Sequence, residues 1–298
     1  MEKMKLVIAM LIVGSIGIFV HFIAMPSAVV AAARAIIGTL FLLLTIISKR
    51  TAIQWKFVKQ NAIYLIISGA AIGFNWIFLF EAYQYTTVAV ATLCYYMAPA
   101  FVILLAPIVL KEKLTPLNIL CTLFALLGAV LISGVLGDSG ANLTGVFYGL
   151  LAAVLYASIM ILNKKMKGLS GLELTFFQLI VATCVMLPYV LITEDLVNLL
   201  WTPQSMSLLL IVGIIHTGLV YQLFFSAMNQ LPAQTSSLLS YIDPITAIFL
   251  SAWLLQEKLS PIQVMGTVLI LGSALVNELL VNRSKKLAKQ QQFDPNSI

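Results

Sequence analysis

The chain has 298 residues, of which 61% are apolar and only 9% charged, with a formal net charge of +6 and a mean hydropathy of +1.04. An ordinary soluble domain carries about 25% charged residues, and so few cannot coat a water-soluble fold of this size. Soluble enzymes, secreted disulfide scaffolds and disordered tails are excluded; the composition is that of an all-α, polytopic membrane protein.

A helical span needs about 20 apolar residues. Apolar runs broken by polar, glycine or proline punctuation predict ten helices, over 5–24, 27–48, 61–81, 86–110, 116–136, 143–163, 171–192, 206–228, 233–255 and 261–281. The first follows Lys3 and Lys5 and is read as a retained span, not a cleaved leader. Met25-Pro26 and Leu231-Pro232 barely turn the chain, which makes the helices they join antiparallel neighbours. Cys94, Cys121 and Cys184 all lie inside apolar runs. An odd number at such depth suits neither a disulfide framework nor a zinc site, and they read as small packing residues.

Charge placement orients the spans. With a cytoplasmic N-terminus and alternating sides, the inner segments hold Lys3, Lys5, Lys49, Arg50, Lys56, Lys59, Lys111, Lys113, Lys164, Lys165, Lys167, Arg283, Lys285, Lys286 and Lys289, fifteen of the 17 basic residues. Lys258 falls outside and Arg34 within a span, while Asp138, Glu194 and Asp195 fall outside. The positive-inside rule therefore explains the basic pI without a nucleic-acid partner. Both termini are expected in the cytoplasm and the protein in the plasma membrane, with 283–298 as a polar tail.

Shifted by 145 residues, the chain repeats itself. Pro99 falls on Pro244, Glu112 on Glu257, Lys113 on Lys258, Leu114 on Leu259 and Pro116 on Pro261. Tyr96 meets Tyr241, Ala82 meets Ala227, Thr115 meets Ser260, and a shift of 144 pairs Thr39 with Thr183. Residues 1–136 and 143–282 are thus read as two five-helix repeats. Five is odd, so the second must lie inverted relative to the first, as in carriers that alternate access around a midplane site.

Two sets of residues carry a family resemblance. One is Glu81-Ala82-Tyr83-Gln84-Tyr85-Thr86-Thr87, then Pro99, then Leu110-Lys111-Glu112-Lys113-Leu114-Thr115-Pro116. The other is Ala227-Met228-Asn229-Gln230-Leu231-Pro232-Ala233, Pro244 and Gln256-Glu257-Lys258-Leu259-Ser260-Pro261. Together they resemble EamA-type proteins of the drug/metabolite transporter superfamily. The resemblance implies ten helices, a central cavity between the halves, and export or uptake of amino acids and related small metabolites. It names no single substrate. Asp243 faces Ala98 in the first copy, so this acid is not a repeat-wide scaffold residue.

Ionisable groups at depth are the candidate site, because each costs at least about 2.5–3.5 kcal/mol near the bilayer centre. Asp243 stands mid-span in the ninth helix, and Ser236, Ser240 and Asp243 share a face at i, i+4, i+7 spacing. Pro244 follows it, and Pro244 and Pro99 are read as hinges. Arg34 lies about seven residues into the second span, with two readings: a structural ion pair with Glu81, which is favoured, or a bidentate grip on a substrate carboxylate. His216, mid-span in the eighth helix, is a candidate to pass protons with Asp243. Asn75, Trp76, Tyr95, Tyr96, Tyr221 and Tyr241 lie inside spans instead of at interfaces, and together form an aromatic wall for amphipathic solutes, amines included. Glu112 and Glu257 read as turn and helix-start residues. Gly69/Gly73 and Gly145/Gly149 form GxxxG pairs that serve internal packing or dimerisation alike.

No P-loop, GxSxG, HExxH, CxxC or dinucleotide motif occurs, so no cofactor, metal or catalytic residue is expected. The leading expectation is a secondary transporter that exports amino acids or related compounds by alternating access, with protons as a candidate driving ion. A passive channel or lipid flippase of the same fold stands as the alternative, and an intramembrane enzyme is less favoured. Its partners are a small-molecule substrate and membrane lipid, with monomer or homodimer left open.

Overall fold

The computed structural model describes residues 2–110, 116–132, 142–199, 201–228, 239 and 242–292, and among these every regular element is helical. In chain order they are α1 (Glu2–His21), α2 (Ser27–Ser48), a short α3 (Trp55–Gln60), α4 (Ala62–Tyr85), α5 (Val88–Tyr95), α6 (Ala98–Leu110), α7 (Pro116–Ile132), α8 (Leu143–Lys165), α9 (Gly171–Thr193) and α10 (Pro203–Gly213). A π-helical turn, Ile214–Leu219, joins α10 to α11 (Val220–Met228); α12 (Ile242–Leu254) and α13 (Pro261–Gln292) complete the chain. Five helices, α1, α2, α4, α8 and α9, are long and apolar enough to cross a membrane, and shorter apolar helices accompany them.

Local chemistry sets the ends. Thr87 accepts from Val90 N–H at the start of α5 and Thr202 from Ser205 N–H at the start of α10, where Pro203 needs no donor. Ser170 and Glu173 close a capping box on α9. Hydroxyls inside the helices are satisfied by the carbonyl one turn back: Thr39 on Ala35, Thr45 on Phe41, Ser68 on Tyr64 and Thr246 on Ile242. A hydroxyl so bonded can sit among apolar neighbours without the desolvation cost of an unmade bond.

The surface is apolar as well. Leu44, Ile47, Ile63, Ile108, Leu123, Ile192, Phe249 and Val268 are all exposed. Large exposed apolar patches of this kind have no place in water, and a helix that is apolar all round belongs in a core or in lipid. Composition, surface and helix length agree on an integral membrane protein.

Helix packing follows small residues. α4 lies against α8 and α9, α2 crosses α9, α7 runs along α13, and α1 packs on α11 and α12. A Cβ on Gly128 would come 2.7 Å from the Gly266 carbonyl oxygen, and one on Gly266 equally close to that of Gly128. Gly69 and Gly73 seat Val181 and Met186 of α9, and Gly145 and Gly149 seat Thr86 and Cys94, so both GxxxG pairs are used inside the chain. Two connecting segments meet on one face: Asn61 donates to the Lys167 carbonyl at 3.0 Å, and Gln54 N–H donates to Glu173 at 2.8 Å.

Three elements depart from the sequence expectation. The fourth run, 86–110, is not continuous, because α5 stops at Tyr95 and α6 starts at Ala98. Proline 99 has no N–H for the Tyr95 carbonyl, so the regular ladder fails there, and Met97 N–H turns back to Cys94 at 3.1 Å. Pro244 lies in the first turn of α12, where a missing N–H costs nothing, instead of inside a longer described helix. α13 continues to Gln292, past the expected end at 281, through a Lys-, Ala- and Gln-rich stretch of good helix formers.

Candidate functional site

Arg34 is held in the middle of α2 with 7% of its surface exposed. Its Nε donates to Thr217 Oγ1 at 2.7 Å, and its guanidinium carbon lies 4.0 Å from the centre of the Trp76 ring. Thr217 in turn donates to the Val212 carbonyl at 3.1 Å, five residues back, a bond the π-turn makes available. The expected ion pair with Glu81 is not formed; no carboxylate among the described residues lies within 4.0 Å of Arg34, and its Nη groups meet no acceptor there. The Trp76 face, worth about 2 kcal/mol when desolvated, and the charge-assisted bond to Thr217, worth about 1.5–3 kcal/mol, together offset the insertion cost of about 2.5–3.5 kcal/mol. Arg34 can therefore stand in the membrane without a counter-ion.

Asp243 enters from the first turn of α12, and the Tyr96 hydroxyl, at the break between α5 and α6, donates to its Oδ2. Tyr95 stands edge-on to Tyr96 at 6.2 Å and stacks on Tyr156 of α8 at 5.1 Å. Tyr83, Tyr95 and Tyr221 lie within electrostatic reach of Arg34, and Tyr83, Tyr95, Tyr96 and Tyr156 within that of Asp243. Arg34 and Asp243 thus both lie near Tyr83 and Tyr95, in a part of the chain built from α2, α4, α5, α8, α11 and α12.

Other expected site residues are employed differently. Asn75 is buried and donates from Nδ2 to the Ala152 carbonyl at 2.5 Å, fastening α4 to α8. Trp76 already covers Arg34, so that ring face is spent on the protein's own cation. His216 Nε2 pairs with Ser15 Oγ at 3.0 Å, and its ring meets Phe19 edge-on at 4.8 Å. His216 and Asp243 make no hydrogen bond with each other; α1 touches both, through Ser15 and through Gly14, whose added Cβ would sit 2.5 Å from the Asp243 carbonyl oxygen. Ser236, Ser240, Tyr241 and Glu112 lie outside the described residues. Pro99 lies in the first turn of α6, just after the break, and Pro244 is buried.

The sequence model of the EamA-like transporter family matches residues 4–134 and again 143–278. The chain belongs to the EamA-like transporter family. An uncharacterized transporter, YxxF, of Bacillus subtilis is 32% identical over 288 residues, covering 95% of this chain and 90% of that one. Protein PecM of Dickeya dadantii is 29% identical over 236 residues, covering 77% and 79%. The crystal structure of another protein, 18% identical, superposes with a TM-score of 0.66 over 95% of this chain and 98% of its own, a likeness of fold. Its relatives' names make this EamA-like protein a membrane transporter.

Thr217, Tyr83 and Tyr156 join the site without having been expected there. Thr217 follows His216 directly, so one polar mid-span dipeptide was the available signal. Tyr83 was inside the family-like segment but stood near a predicted helix end, and Tyr156 lies in an otherwise apolar run.

Proposed function

We propose that this EamA-like protein is a secondary carrier that exports small organic metabolites, amino acids or close relatives, across the plasma membrane by alternating access. One observation carries the reading. Among the described residues, a buried arginine whose Nη groups meet no acceptor and a partly buried aspartate stand near the same tyrosines, Tyr83 and Tyr95, from different helices. A solute with a carboxylate and an amine meets a guanidinium fork at one end and a carboxylate at the other. A neutral pore lining or a lipid groove has no use for this pair. The bond from Tyr96 to Asp243 is the one a solute amine or a proton would compete with, which makes Asp243 the coupling residue and leaves His216 a packing role beside Ser15 and Phe19.

Ten spans in two inverted halves, at 1–136 and 143–282, accommodate that site. Residues equivalent under the repeat meet one another: Thr39 Oγ1 lies 3.3 Å from Thr183 Oγ1, where α2 crosses its counterpart α9. α7 runs along its own counterpart α13, and α8 packs on α4 and α6 as α1 does on their counterparts α11 and α12. Elements that exchange in this way surround a two-fold axis. The Lys- and Arg-bearing segments 49–61 and 164–173 share one face, which the charge rule makes cytoplasmic together with both termini.

A thermal-shift screen of the purified protein against pooled amino acids, amines and monocarboxylates tests this. Amino acids are expected to raise the melting temperature more than either other class, and Asp243→Asn to abolish the advantage over monocarboxylates. Stabilisation by none of the pools, or equally by all, contradicts the reading.

A further inference from the structure

Glu257 recurs with Glu112 in the repeat, and its helix-start reading needs amending. The helix that follows it, α13, is capped without it: Ser260 N–H donates to Gln263 Oε1 at 2.9 Å and Gln263 N–H to Ser260 Oγ at 3.3 Å, a reciprocal box. Gln256, with φ of 57°, closes α12 in the left-handed region, and Glu257 N–H returns to the Ser251 carbonyl at 3.2 Å. The Glu257 side chain goes elsewhere. Its Oε1 accepts from Val88 N–H at 3.0 Å and its Oε2 from Ala89 N–H at 3.3 Å, the first two amides of α5 in the other half of the chain. With Thr87 on Val90, the first three amides of α5 all have side-chain acceptors.

α5 and α12 therefore lie antiparallel and are pinned at both ends by carboxylates that bracket α12. Asp243 before its first turn is complete holds the C-terminal end of α5 through Tyr96, and Glu257 beyond its last turn holds the N-terminal end. At 1.5 Å per residue the two pinned positions on α5, Val88 and Tyr96, stand about 12 Å apart. An eight-residue helix is too short to hold a position by itself, so its neighbours decide it. On one side α8 seats it closely: a Cβ on Gly149 would meet Cys94 Cβ at 2.8 Å. On the far side of the seam α12 is seated just as closely on α1, at Gly14. Two glycine-packed bodies thus face each other, and carboxylate hydrogen bonds pin the seam between α5 and α12, with the Val88 side chain resting on Gly17 of α1 at the Glu257 end. Hydrogen bonds to a carboxylate can be exchanged for water or solute, whereas the glycine contacts within each body, and the single one of Val88 on Gly17 across the seam, part only by opening a void.

Resting on the carrier reading, we propose that Glu257 is a positioning residue. It clamps α5 onto α12, holds Tyr96 on Asp243, and keeps the seam shut on the face where α5 begins. Solute that takes Asp243 from Tyr96 releases one pin, and Glu257 then sets how readily that face opens.

The test places a reporter at Tyr156→Cys in a background where Cys94, Cys121 and Cys184 are replaced by alanine, and labels it with a membrane-impermeant maleimide from each face of sealed vesicles. Glu257→Gln, which keeps shape, and Glu257→Ala are expected to raise the labelling rate from the Val88 face about tenfold or more, with Glu257→Asp between them and the parent. Solute efflux through Glu257→Gln should show a changed maximal rate with a smaller change in KM. An unchanged Val88-face rate in Glu257→Gln, with the protein monodisperse in detergent, overturns the clamp. If the opposite face still labels and solute protects the reporter, the carrier stands without it. No labelling from either face, and no protection by solute, overturns both.

Discussion

Under the proposed function Arg34 is the residue on which recognition turns, because its environment is arranged to tolerate its charge without neutralising it. Thr217 fixes Nε and Trp76 fixes the plane, which leaves the outer edge of the guanidinium as the part that remains to be bonded. Replacing Thr217 by valine keeps the shape and removes the acceptor. Leaving a buried donor unmade costs about 1–3 kcal/mol, so Thr217→Val should weaken solute binding by about tenfold, with Thr217→Ser restoring it. Equal affinities for the valine variant and the parent, read by titration of the purified protein, would remove Thr217 from the site. Both charges, Arg34 and Asp243, were legible in the sequence, since a charge in an apolar run is costly enough to need a reason. Arg34's partner was not. Glu81 is the natural counter-charge on paper, but the guanidinium is spent on a ring face and a hydroxyl. A lone threonine in an apolar helix looks the same whether it bonds its own helix, as Thr246 does, or serves a neighbour.

At the scale of elements, the proposed site rests on two irregularities. The π-turn Ile214–Leu219 brings Thr217 to Arg34 and His216 to Ser15, and the break at Tyr96–Met97 frees Tyr96 to reach Asp243. The break was legible only as Pro99, two residues downstream. The π-turn left no signal, because one extra residue in a helical turn changes neither hydropathy nor composition. The five long helices, α1, α2, α4, α8 and α9, were legible for the opposite reason: apolar length is what the membrane demands of them. Close packing then fixes their spacing, and glycines mark where. Gly149→Ala puts a methyl 2.8 Å from Cys94 Cβ, whereas a Cβ at Gly272 meets nothing within 4 Å. Overpacking costs about 1–3 kcal/mol, so Gly149→Ala should lower the melting temperature of the detergent-solubilised protein while Gly272→Ala leaves it level or raises it. The same shift in both variants would mean that α5 and α8 are looser than this contact implies.

For the whole molecule, the repeat joins these parts. A pattern of prolines and Glu-Lys pairs 145 residues apart, two matches to one family, and the meeting of Thr39 with Thr183 are one fact seen at three levels. In the proposed carrier, duplication would supply two halves able to exchange shapes, and the asymmetry of Asp243 against Ala98, and of Arg34 in one half, would supply a directional site between them. A carrier of that kind must saturate and must exchange. The most direct measurement is counterflow in proteoliposomes loaded with pooled unlabelled amino acids and given a labelled trace outside. The expected result is uptake that overshoots, saturates with concentration, and is lost in both Arg34→Gln and Asp243→Asn; uptake that rises linearly without overshoot, or that survives in both variants, contradicts it.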